Sequence, residues 1–124
     1  MFIYTDLHYE VQELEEYGKM KMDYDVENDI LFIHKGFSKD EKFKGNIDAG
    51  DIVLDMSTKG RIVGIEILNA SEFLKAFKIG KKVLESLKDA RFKTQIKCNS
   101  IMIELVFLSH EEEIPAKIAL PIAR

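Results

Sequence analysis

The chain has 124 residues, 46% of them hydrophobic and 32% charged, with a formal net charge of −4. That size suits one domain, residues 1–124, which buries about two thirds of its unfolded surface without a staple, and the balance excludes a disordered chain. The lone cysteine, Cys98, excludes an internal disulfide and a cysteine-rich zinc site, and no apolar run approaches the roughly 20 residues that span a bilayer.

The first residues, Met1 to Asp6, lack the basic-then-apolar order of a signal peptide, so a cytoplasmic protein is expected. Charge is unevenly placed. Residues 1–29 hold nine acids against Lys19 and Lys21, and residues 72–97 hold eight bases against Glu72, Glu85 and Asp89. Two solvated surfaces of opposite sign account for this. Self-complementary docking, within one chain or between chains, would also use it.

Residues 5–17 read as a short helix, capped at Thr5 or Asp6, with Leu7, Val11 and Leu14 at i, i+4 and i+7 and Gly18 after them. From Lys21 to Val26 the chain alternates, with Met22, Tyr24 and Val26 on one side, which is a half-buried strand. Glu27-Asn28-Asp29 is turn chemistry, and Ile30 to His34 is a strand apolar on both faces, so the two form a hairpin. A polar loop over 36–46 precedes one or two short strands over 47–55, broken at Ala49-Gly50. Ser57 to Gly60 is a turn before a strand from Arg61 to Leu68.

The clearest helical period runs from Ser71 to Lys88. At 100° per residue, Phe73, Ala76, Phe77, Ile79, Val83, Leu84 and Leu87 share one arc, and lysines with Glu85 hold the other. Ser71 is the expected N-cap. Gly80 in the apolar arc either permits close approach to a sheet or splits the helix. Strands return with Phe92, Thr94, Ile96 and Cys98 on one register, then Ile101, Ile103, Leu105 and Phe107, then Ile114, Ala116, Ile118, Leu120 and Ile122. Pro115 and Pro121 on the outer register of the last strand mark a sheet edge. The expected fold is α+β: a mostly antiparallel sheet of about seven strands packed against the 71–88 helix, with a short N-terminal helix.

Asp23, Asp25, Glu27 and Asp29 imitate a calcium loop but fail in detail, because Asn28 stands where glycine is needed and His34 where a bidentate carboxylate is needed. Glu66 interrupts an otherwise apolar strand and shares a face with Ile62, Gly64 and Leu68 by alternation. A carboxylate there is exposed, paired with a base such as Arg61, or buried and available as a general acid or base. Glu66 with Asp55, Asp25 and His34 is therefore the candidate catalytic or ligand-binding set. His8, His34 and His110 are scattered, so no metal ligand set is legible and no cofactor is implied. Cys98 alternates with Phe92 and Ile96 and is expected as a core thiol. The basic residues from Lys75 through Lys78, Lys81, Lys82, Lys88, Arg91 and Lys93 to Lys97 could meet phosphates, but the acidic whole and the lone interleaved aromatic, Phe92, argue against nucleic acid.

The stretch from Met22 to Ser71 resembles the family known as domain of unknown function 2283 (DUF2283). The resemblance is carried by Tyr24-Asp25, Glu27-Asn28-Asp29, Ile30–Ile33, Ile52-Val53-Leu54-Asp55, Gly60-Arg61, Gly64-Ile65-Glu66-Ile67 and Ala70-Ser71. Phe32, where tyrosine is usual, and Met56-Ser57-Thr58, where acids are usual, depart from it. It implies no activity or catalytic residue. Its small members near toxin-like genes imply an antitoxin or partner-binding role.

The reading that follows is a non-enzymatic protein-interaction module, expected as a homodimer, with Met102, Val106 and Leu108 as an apolar second face of their strand that something must cover. A small-molecule-binding or hydrolytic domain centred on Glu66 is the alternative, and an antitoxin-like partner or a nucleic-acid binder is a further one.

Overall fold

The computed structural model describes residues 20–110 and 112–121. The helix expected over 5–17, His8 and Ile122 lie outside them. The described residues are mostly antiparallel sheet, with eight strands in two sheets rather than about seven in one. The first sheet holds β1 (Lys21–Asp25), β2 (Ile30–His34), β3 (Phe43–Ala49), β4 (Ile52–Ser57) and β5 (Ile62–Ile67), in the order β1-β2-β5-β4-β3. The second holds β6 (Leu87–Lys97), β7 (Ser100–Ser109) and β8 (Glu112–Pro121), in chain order.

The extra strand is β3. It is an edge strand with one solvated side, so its Lys44 and Asn46 fall in the polar loop expected over 36–46, while Asp48 falls in the short strands expected over 47–55. Gly50, at φ 71°, makes the tight turn from β3 into β4. β2, apolar on both sides, lies between β1 and β5, and β8 with its two prolines is an edge.

Both sheets turn one face to a common core. Leu31, Ile33, Ile52, Leu54, Ile65 and Ile67 come from the first, and Ala90, Phe92, Ile101, Ile103, Leu105 and Phe107 from the second. A register shift opposite Asp55 and Met56 inserts an extra residue, Val63, into β5. It returns Ile62 to the core, so Ile62 does not share the face of Glu66 as strict alternation had it.

The expected 71–88 helix is broken. It comprises α1 (Ala70–Phe73), a 3₁₀ turn (Leu74–Phe77) and α2 (Lys81–Glu85), with Leu87 already in β6. Lys78 is left-handed at φ 63° and Gly80 is extended, so Gly80 marks a split. The break has a packing reason. After Ala70, the fully buried side chains of this strap are Leu74, Ile79 and Leu84, and a spacing of five drifts off one helical face. Interrupting the helix lets all three reach the core, while Ala76 of the predicted arc is exposed.

The tip of the β6–β7 hairpin also departs from expectation: Ile96 is 54% exposed and Cys98 is exposed, so neither is core. At about 3.3 Å per residue, these strands of 11 and 10 residues outrun the first sheet, whose strands have five to seven. Among the described residues no helix is long and apolar enough to cross a membrane, which says nothing of strands.

Candidate functional site

Pairing in the first sheet lines up two rows across its outer face. One row runs Asp23, Phe32, Glu66, Val53, Asp48, and the next runs Lys21, His34, Gly64, Asp55, Asn46. The fold thus brings together three of the four candidates: His34 and Asp55 flank Gly64, and Glu66 sits one row along on the same strand. Asp25 shares the face but lies at its edge on β1, opposite Ile30. Its carboxylate accepts bonds from the Asn28 side chain at 2.8 Å and the Asn28 backbone N–H at 3.1 Å. These hold the exposed carboxyl below its ordinary value.

Gly64 is what allows the approach. A Cβ placed there would meet Asp55 Oδ2 at 2.7 Å and His34 Cδ2 at 2.9 Å. The two side chains therefore lie over bare backbone and face each other across it. His34 Nδ1 accepts the Gly36 N–H at 2.7 Å, so its neutral ring carries the proton on Nε2. The His34 ring stands edge-on to Phe37, with centroids 5.2 Å apart, and tilted to Phe32 at 5.8 Å. Asp55 Oδ1 accepts from the Asn46 side chain at 2.6 Å. The pair offers one N–H donor and one carboxylate acceptor, each held from behind.

A buried clamp steadies this arrangement, and Glu41 is its centre. Arg61 donates to both Glu41 oxygens, Nε at 2.8 Å and Nη2 at 2.7 Å. Ser57 Oγ and the Ser38 N–H and Oγ donate to the same carboxylate. The Arg61 guanidinium, against the cost of burial and aided by these serines, holds the Glu41 carboxyl far below the usual carboxylate range. Arg61 is thus the partner of Glu41, not of Glu66. The clamp fixes the loop over 36–42 against the β4–β5 turn, and that loop supplies Gly36 and Phe37 to His34. The sequence reading missed Glu41, although Ser38-Lys39-Asp40-Glu41 has the spacing of a serine whose N–H meets a glutamate three residues on.

Asp29 closes the sheet at its other end. In left-handed conformation at φ 56°, it accepts the Tyr24 hydroxyl at 2.6 Å, the Ser71 N–H at 3.0 Å and the Ser71 hydroxyl at 2.7 Å. The N-cap of α1 is Asn69, which makes no side-chain cap bond, so a residue of the hairpin turn does the work expected of Ser71. Burial and the bond to Asp29 raise the Tyr24 phenol above its ordinary value. Burial pushes the Asp29 carboxyl up, but bonds from Tyr24 and Ser71 and the charge of Lys81 outweigh it and hold the group low.

Elsewhere, two bases of β6 and one of β8 face acids. Arg91 bonds Asp89 at 2.8 Å, and Lys93 and Lys117 reach Glu104 at 3.4 and 3.5 Å. A shallow open depression is lined by Lys82, Val83, Ser86, Ser109, His110 and Glu112, apart from the outer-face rows. Among the described residues no three His, Cys, Asp or Glu side chains gather as a metal site needs.

An uncharacterized protein of Methanocaldococcus jannaschii is 48% identical over 54 residues, covering 44% of each chain. A Methanosarcina mazei protein, provisionally named a hypoxanthine phosphoribosyltransferase, is 37% identical over 68 residues, 55% of this chain and 50% of its own. The chain spans about half the length of the curated relatives it matches. No solved structure matches. The residues that form the five-stranded sheet and its clasp, 21–71, match the family described as Protein of unknown function (DUF2283).

Proposed function

We propose that this chain is a non-enzymatic protein-interaction module that works as an oligomer. The observation that carries this reading is the outer face of the second sheet. There Met102 and Leu108 are half-buried and Val106 is 38% exposed, with Pro115 and Ala119 beside them on β8. These apolar side chains, interrupted by Glu104 between Met102 and Val106, make a surface that gains from being covered. Light scattering with native mass spectrometry on one preparation tests it. A defined assembly without a bound small molecule is the expected result, and a monomer that carries a co-purified ligand overturns it.

A second reading, a ligand-binding or hydrolytic domain, is favoured by the His34–Gly64–Asp55 arrangement with Glu66 beside it. These groups spread over a half-exposed sheet face and not into a closed pocket, which suits recognition of a surface better than exclusion of water from a reaction. The activity in the name of the Methanosarcina mazei relative is not taken over. Asp23, Asp48, Asp55 and Glu66 share the face on which that reading would place a phosphorylated ligand, and they would repel it. Nucleic-acid binding is not proposed either, because Arg91, Lys93 and Lys117 face acids of their own sheet.

A further inference from the structure

On its two marginal strands, the outer face of the three-stranded sheet carries charges that read the same from both ends with their signs exchanged. Its central row is Arg91, Val106, Pro115. The row on one side is Asp89, Leu108, Glu113, with an acid at each margin. The row on the other side is Lys93, Glu104, Lys117, with a lysine at each margin. Both rows lie two residues from the centre along every strand.

We propose that this face is the contact between two copies of the chain, packed face to face with antiparallel strands about a two-fold axis through Val106. The inference rests on the oligomeric reading above and gives it a partner and a register. A two-fold lying between the sheets and across the strands reverses strand direction and keeps each strand over its own copy. Asp89 then faces the second copy's Lys93 and Glu113 faces the second copy's Lys117. Symmetry makes each pairing twice. Val106 and Pro115, both exposed in the single chain, meet their own copies at the centre, and Arg91 lies over its own copy at the margin of the same row. Arg91 remains tied to its own Asp89 at 2.8 Å. Glu104, between two lysines of its own sheet, sits under the second copy's Leu108, and Met102 falls at the rim. Aligned sheets pack at about 10 Å, within the reach of such side chains.

The register yields a charge-exchange test by light scattering, with far-ultraviolet circular dichroism to confirm folding. The wild-type chain is expected to form dimers that weaken as salt rises. Glu113→Lys and Lys117→Glu each place like charges together twice and should weaken the dimer at least about tenfold. The double variant restores opposite charges across the axis and should recover most of the wild-type affinity. Val106→Glu, at an exposed position, should give a folded monomer. A folded double variant that is no tighter than the singles overturns the register. A dimer indifferent to all three substitutions and to the double variant overturns the surface, while the oligomeric reading stands on another one. A wild-type monomer at low salt and high concentration overturns both.

Discussion

Gly64 and Glu41 show how single residues set this surface. Gly64→Ala would drive a Cβ to within 3 Å of both Asp55 and His34. One of the two must move, and thermal unfolding should record a loss of about 1–3 kcal/mol, together with a shift of the His34 ring signals in nuclear magnetic resonance. Glu41→Gln removes the charge from a fully buried carboxylate and should cost about 1.5–3 kcal/mol. The same group predicts a pH dependence. Its folded pKa lies below its unfolded one, so its stabilisation is complete above the unfolded value of about 4.3 and is lost as pH falls below it. Unfolding scans from pH 7 to pH 3 should show an acid-side loss that Glu41→Gln flattens. The grouping of His34, Asp55 and Glu66 was legible because strand alternation places them on one side. Glu41 was not, because its guanidinium partner lies 20 residues away on another strand and nothing local marks a surface-type residue as buried.

At the scale of elements, the strands were easier to read than the strap. Alternation reports directly on a pleated sheet, so the β1–β2 hairpin and β7 match their residues closely. From Ser71 to Lys88 the apolar residues fit a 100° arc, which predicts a helix with Gly80 as either a point of close approach or a split. The core keeps Ile79 and Leu84 of that arc and adds Leu74, which lies outside it, and only a break satisfies that spacing. If Gly80 serves as an extended N-cap and not as a point of close approach, Gly80→Ser should be tolerated and should stabilise by about 0.5 kcal/mol. No atom lies within 4 Å of a Cβ built there, and chemical denaturation would measure the change. Asp29 offers a sharper contrast. Asp29→Ala loses both the cap and a side chain tolerant of left-handed backbone and should cost about 1–3 kcal/mol. Asp29→Asn keeps the conformation and one acceptor and should cost less than half as much in the same assay.

At the scale of the whole molecule, the sequence conveyed the class but not the layering. Period-2 patterns say which residues face inward, not which strands pair, so a two-sheet arrangement with one core reads as a single sheet. The count of strands erred for the same reason that β3 is polar: an edge shows one side to water. The placing of charge across the second sheet is likewise visible only once strands are registered, since Asp89, Lys93, Glu113 and Lys117 come from two strands that β7 separates.

The clasp between Asp29 and Ser71 has a consequence for the segment that follows it. It ties two residues 42 positions apart, and its far end coincides with the last residue of the family match. The hairpin is therefore locked to the start of α1 before the strap and the second sheet begin. Any segment that follows residue 71 must present an apolar underside to Leu31, Ile33, Ile65 and Ile67, and the clasp itself places no constraint on that segment's outer face.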